Sequence, residues 1–261
     1  MKLQVLDVTP TLAKNWLKTN TLNRPVRQSY VSYLAECMKR GEWGINHQAV
    51  ALNGNKLIDG QHRLLAVVES GLPAVKMSVI NDADTASFDT IDIGVKRSHA
   101  DIFREDVAVM APITFIAKLI YGQRVTPRMV KPLYEKLHKN MREVVDSFPR
   151  STRKWGAAPI RVAALAAILN GESKKYVLGL YKAMVEFDTK NLPPVGASFV
   201  KQLMVGINVP NTGGSKSYDL LARAFTVFHH ENAELSRLVV HRSNDRVAKV
   251  REIYKKALGI V

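Results

Sequence analysis

The sequence predicts an α+β fold: a small mixed-sheet domain over residues 1–103, followed by a basic, mostly helical domain over residues 104–261. Three observations carry this. In the first hundred residues, short apolar runs alternate with tight-turn residues such as Asn53-Gly54-Asn55. After Phe103, apolar residues recur at helical spacing between Pro and Gly stops. The charge shifts at the same place. Residues 1–103 hold 12 Lys and Arg against 10 Asp and Glu, whereas residues 104–261 hold 26 against 13. Nearly all of the net +15 therefore belongs to the second part.

Taken in order, Lys2–Val8 alternates as a strand and is closed by Thr9-Pro10. Thr11–Thr19 follows as a short helix, and Asn23-Arg24-Pro25 stops the chain. Val26–Arg40 then spaces Val26, Tyr30, Tyr33, Leu34, Cys37 and Met38 close to a 3.6 period, with Gly41 in the C-cap position. Gln48–Leu52 and Lys56–Ile58 form a hairpin about the Asn-Gly turn. Gln61–Ser70 is a helix ended by Gly71, Ala74–Ile80 a strand, and Phe88–Ile93 a further extended piece. The helices expected beyond are Val107–Tyr121, Thr126–Ser147, Ala158–Leu169, Lys174–Phe187, Val195–Val205, Ser217–His229 and Ser243–Leu258. Ala157–Leu169 is alanine-rich and nearly uncharged, which marks it as the centre of the bundle.

Composition removes several function classes. A single cysteine, Cys37, excludes an internal disulfide framework and a Cys-rich zinc site, and is expected to be a core residue. No apolar run reaches about 18 residues, so no membrane span is expected. Met1–Asp7 lacks the apolar core of a signal peptide, and the expected location is the cytoplasm. A pI near 9.9 points to a polyanion, nucleic acid being the commonest.

The most informative motif is Asp59-Gly60-Gln61-His62-Arg63, where a strand hands over to a helix. Free N–H groups at a helix start, the helix dipole and a glycine make a ready anion site. Gly60 and Gln61 supply backbone donors, and Arg63 a planar fork for phosphate. His62 can transfer a proton near neutral pH, and Asp59 can orient a hydroxyl or hold a metal. Taken singly, Asp59 is as readily an N-cap, Gly60 a turn residue and Arg63 a solvated charge.

In its setting, Lys56-Leu57-Ile58-Asp59-Gly60-Gln61-His62-Arg63-Leu64-Leu65-Ala66, the pentad resembles the DGQHR branch of the ParB/sulfiredoxin superfamily. Asn23-Arg24-Pro25, Gly41-Glu42-Trp43 and the stretch Phe88-Asp89-Thr90-Ile91-Asp92-Ile93-Gly94-Val95-Lys96-Arg97-Ser98 resemble the versions found in phage and mobile-element proteins. The resemblance spans about the first hundred residues. It implies a phosphate-binding Gly-x-x-Arg element at Gly60 and Arg63. Sulfiredoxin chemistry is not implied, because Gln61 stands where that group has its catalytic cysteine. The related serine kinases place an aspartate at the position of Asp59, with a second carboxylate for which Glu36 and Glu42 are candidates. The resemblance thus implies a nucleoside triphosphate with Mg²⁺ as cofactor. It leaves open an enzyme, a ParB-like nuclease, a nucleoside triphosphatase or a small-molecule kinase, with Asp59 and His62 as catalytic residues.

Around this core, Lys96 and Arg97 are candidate phosphate contacts, with Asp89 and Asp92 beside them. In the second part, Arg128 and Lys131 lie on one helix, and Arg150, Arg153 and Lys154 precede Trp155 in a loop suited to phosphate contact and stacking. Arg246 and Lys249 lie on the last helix. These are the candidate nucleic-acid contacts, although no helix-turn-helix signature accompanies them. Gly213-Gly214-Ser215-Lys216-Ser217 misses the phosphate-loop pattern by one residue and is expected to be a linker. His229, His230 and His241 raise a metal site as an alternative, but no HExxH accompanies them and adjacent histidines splay apart on a helix, so a solvated face is expected. Expected partners are DNA first, a nucleotide second and a second copy of the chain third, with no membrane.

Overall fold

The computed structural model describes residues 2–20, 23, 25–46, 48–83, 97–122, 124–147, 155–188, 190–205, 216–239 and 243–260. The fold is α+β, and the chain divides into two compact units, Met1–Lys96 and Arg97–Val261.

The first unit is a four-stranded mixed sheet with three helices. β1 (Lys2–Val8) pairs antiparallel with β4 (Val75–Asn81) along its whole length, from Lys2↔Asn81 to Val8↔Val75. β2 (Val50–Asn53) and β3 (Lys56–Asp59) form the hairpin across Gly54, whose φ of +53° is the left-handed conformation such turns need. β2 runs parallel to β4, giving the order β1-β4-β2-β3. α1 (Pro10–Leu17) starts with Pro at its first turn and the Thr9 hydroxyl accepting from the Leu12 N–H. α2 (Gln28–Lys39) and α3 (Gln61–Ser70) complete the unit. Val8, Ala13, Val31, Leu34, Val50, Leu57, Leu64, Val67 and Met77 share one core drawn from every helix and every strand of the unit. Cys37 is buried, as expected. The extended piece expected at Phe88–Ile93 lies outside the described residues.

The second unit is helical. It opens with α4 (His99–Phe103), which the sequence does not announce: five residues are too few to show a period. Its capping box is visible instead, with the Ser98 hydroxyl accepting from the Asp101 N–H and the Asp101 carboxylate accepting from the Ser98 N–H. Phe103 packs on the core of this unit, so α4 belongs here and not with the sheet. α5 (Val107–Tyr121), α6 (Pro127–Asp146), α7 (Ala158–Leu169), α8 (Lys174–Glu186), α9 (Pro194–Val205), α10 (Lys216–Val227) and α11 (Ser243–Leu258) follow. A 3₁₀ turn at His230–Asn232 lies between the last two. α7 is the central helix, packed against α5, α6, α8, α10 and α11. Every residue from Pro159 to Ala167 is buried, and small side chains let the neighbours come close.

Two expectations are overturned here. Trp155 does not stack on a nucleic acid. It is 4% exposed and sits edge-on to Phe187 and Phe199, with centroids 6.2 and 6.1 Å away. The pairing joins residues more than thirty positions apart, which no local pattern reveals. His229 is not on a solvated face either. It is buried, its Nδ1 donates to the Phe225 carbonyl at 2.7 Å, and its ring lies edge-on to Phe225.

Candidate functional site

The strand-to-helix turn after β3 is built as expected, with Gln61 and His62 buried and Asp59 and Arg63 partly exposed. Gly60 is the N-cap of α3 and holds φ +110°. A Cβ here would lie 3.0 Å from Val50 Cγ2 and 3.2 Å from Val50 Cα, so β2 packs directly against Gly60. Glycine is required for backbone conformation and for the approach of β2 together.

Arg63, expected as a phosphate fork, is a clamp. Its Nη2 meets Asp59 Oδ2 at 2.5 Å, and its Nη1 donates to the carbonyls of Ala49, at 2.9 Å, and Gln48. Three of the five guanidinium N–H groups are thus committed within the chain. They tie the start of β2 to the first turn of α3. Asp59, expected as a catalytic or metal-binding carboxylate, is the ionic half of that clamp.

Gln61 and His62 hold a different segment. Gln61 is buried, and its Oε1 accepts from Asn20 Nδ2 at 2.8 Å. His62 is 7% exposed, its Nε2 accepts the backbone N–H of Arg27 at 3.0 Å, and Tyr30 covers the ring at 5.7 Å. Both fasten the connection between α1 and α2 onto α3. His62, expected as a catalytic residue, thus has its Nε2 engaged by a backbone amide of its own chain. Glu36 pairs with Lys39 and Glu42 with Arg40, so neither candidate second carboxylate is committed to the turn.

The crevice beside Arg63, bordered by Trp43, Asn46, Val50 and Ser78, is a surface dent with essentially no interior room even for a water molecule. Pockets that bury a nucleotide-sized ligand run from about 300 to 1,000 Å³. Among the described residues the turn offers one carboxylate, Asp59, already paired with Arg63, and no group of three His, Cys, Asp or Glu comes together. Lys96, Asp89 and Asp92 lie outside the described residues. Arg97 is exposed in the second unit, its charge set against Asp101 beside the α4 cap.

The helical unit offers a different surface. Arg128 and Lys131 are exposed on the first two turns of α6, with Lys131 3.8 Å from Glu135. The helix is capped by the Thr126 hydroxyl and has no acidic residue in its first turn. The last turn of α5 brings Lys118, and the connection to α6 brings the exposed Arg124. Arg251 of α11 reaches the same end of α5, its Nε donating to the Leu119 carbonyl at 2.6 Å. Arg246 and Lys249 lie further back on α11, and Lys249 sits 6.0 Å over the Phe225 ring. Lys118 and Arg251 thus lie at the end of α5, Arg124 on the short connection that follows and Arg128 and Lys131 on the first turns of α6. Arg150, Arg153 and Lys154 lie outside the described residues.

Charge counts by helix overlook a simpler signal: from Val107 to Tyr134 there is no Asp or Glu over 28 residues, while four are Lys or Arg. The flanking acid is internally held. Glu105 accepts from the Asp106 N–H at 2.7 Å, from Tyr134 Oη at 3.1 Å and from Arg142. Burial alone would raise its pKa, but these three donors outweigh burial and hold it below the usual range.

No family model, no curated protein and no solved structure matches the chain. Among the described residues no helix is long and apolar enough to cross a membrane.

Proposed function

We propose that the protein binds nucleic acid through its helical unit. Phosphate contacts come from Lys118, Arg124, Arg128 and Lys131 around the α5–α6 connection, and from Arg251 where α11 meets α5. One observation carries this: an acid-free stretch of 28 residues with four cations, folded into a helical hairpin within a unit whose net charge is +13. That charge is 27 Lys and Arg against 14 Asp and Glu over residues 97–261. Cations at the start of α6 oppose the helix dipole, an arrangement that a bound polyanion relieves. The proposal keeps the nucleic-acid class implied by the ParB-like resemblance and moves its seat away from the pentad. The pentad then serves as a fold clamp.

The test is binding to a short DNA duplex and to an RNA of equal length across a salt series. The triple variant R124Q/R128Q/K131Q is expected to weaken binding and to flatten the log–log salt slope by about 0.9 for each duplex phosphate no longer neutralised. An unchanged slope overturns the assignment. Arg63→Ala is expected to leave affinity unchanged. If Arg63→Ala instead abolishes both nucleotide turnover and binding while the fold persists, the active site is at the turn and the enzyme reading takes over.

A further inference from the structure

The sheet of the first unit ends on one side in β1, whose outer edge has no strand beside it among the described residues. β1 is long for an edge: all seven residues, Lys2 to Val8, pair with β4 in one unbroken register. Sheet edges are ordinarily guarded by a charge, a proline or a bulge within the strand. Leu3-Gln4-Val5-Leu6 has none of these, and the charges Lys2 and Asp7 stand only at its two ends.

One face of the strand is uncovered as well. Leu6 and Val8 pack into the core beneath the helices, so alternation puts Leu3, Val5 and Asp7 on the opposite face. There Leu3 is 68% and Val5 52% exposed. Leu3 stands opposite the half-buried Ile80 across the ladder, and Asp7 pairs with its own neighbour Lys76.

The edge is complementary to itself. A two-fold axis normal to the sheet joins two β1 strands antiparallel with the same face up, so odd residues come opposite odd and even opposite even. An axis through Gln4 sets Leu3 against the partner's Val5, and Val5 against the partner's Leu3. Four exposed apolar side chains then cover one another, and Asp7 keeps Lys76. An axis through Val5 would instead set Leu3 against the partner's Asp7, an apolar group against a charge. The charge distribution favours a second copy too. Residues 1–96 hold 11 Lys and Arg against 9 Asp and Glu, so two sheet units meet with little repulsion, whereas the +13 of the helical unit repels its like.

We propose that β1 is a self-association edge: a second copy of the chain pairs with it through its own β1, antiparallel about Gln4, so that two four-stranded sheets become one. Pairing over residues 2–6 falls short of the about 800 Å² per partner of a standard interface, so the dimer is weak, with a Kd on the order of 100 μM. It stands independently of the nucleic-acid surface.

The test is analytical ultracentrifugation of the full chain without nucleic acid, up to about 500 μM and at about 0.15 and 0.5 M salt. A reversible monomer–dimer equilibrium that the higher salt does not weaken is expected. Gln4→Lys, at an exposed position, sets two ammonium groups opposite each other on the axis and is expected to weaken the dimer about fivefold or more. Gln4→Cys is expected to cross-link under copper–phenanthroline oxidation, since directly opposed Cα atoms about 4.5–5.5 Å apart suit a disulfide. Val5→Cys, whose two copies are offset diagonally, is expected to cross-link more slowly. Cys37 is buried and does not compete, and circular dichroism checks the fold of each variant. A chain that stays monomeric to about 500 μM overturns the proposal and leaves the edge to an extended peptide of another protein. Gln4→Lys dimerising like wild type, or Val5→Cys cross-linking as fast as Gln4→Cys, overturns it equally.

Discussion

At the scale of single residues, the pentad shows how one chemistry serves two ends. An arginine one turn after a glycine at a helix start is what a phosphate site needs, and also what a clamp needs. The partners decide between them. Arg63 has a carboxylate and two carbonyls from its own chain, so Arg63→Ala is expected to cost about 2–3 kcal/mol in urea unfolding, the range for hydrogen bonds to a charged group whose partners are left behind. Gly60 and Gly71 make a matched pair. Both have positive φ, but a Cβ at Gly60 meets Val50 at 3.0 Å while one at Gly71 meets nothing within 4 Å. Gly71→Ala is expected to cost about 1 kcal/mol for the left-handed backbone alone, and Gly60→Ala clearly more, by the same measurement. The pentad's position and its glycine were legible in the sequence. Its role was not, because Gln61 and His62 find their partners at Asn20 and Arg27, some forty residues upstream.

At the scale of elements, the Pro and Gly stops located every long helix, and the Asn-Gly turn located the hairpin. α4 escaped because a five-residue helix carries a cap and no period. That helix also gives the unit a pH dependence. His99 bonds Thr114 Oγ1 through Nδ1, at 3.2 Å, and burial together with the nearby Lys118 charge lowers its pKa below 6.5. The unfolded chain therefore binds the proton more tightly than the folded one. The contribution of neutral His99 is complete above about pH 6.5 and declines as the pH falls from there towards the lowered folded value. His99→Gln is expected to flatten the stability-against-pH curve in that window. Glu105 acts at lower pH. Its contribution is present above the ordinary carboxylate range and is lost as the pH falls through its lowered folded pKa, so Glu105→Gln is expected to remove part of the acid limb of the same curve.

At the scale of the whole molecule, the two cores share no residue: one is drawn from Val8 to Val79, the other from Ala100 to Tyr254. Arg63→Ala should therefore lower the unfolding transition of the sheet unit and leave that of the helical unit in place, which scanning calorimetry resolves as two peaks moving independently. The charge asymmetry was legible from composition alone, and it locates the proposed binding surface in the helical unit. The burial of Trp155 was not legible, since it depends on Phe187 and Phe199 arriving from later parts of the chain.

α7 has one more consequence. Its nine consecutive buried residues have no outward face, unlike α6, where buried Val130, Leu133, Leu137, Met141 and Val144 recur every three or four positions. A saturation-mutagenesis tolerance profile should oscillate along α6 with the helical repeat and run flat and intolerant along Pro159–Ala167, where a larger side chain at any alanine would force neighbouring helices apart. The segment with the plainest composition would then appear as the most constrained.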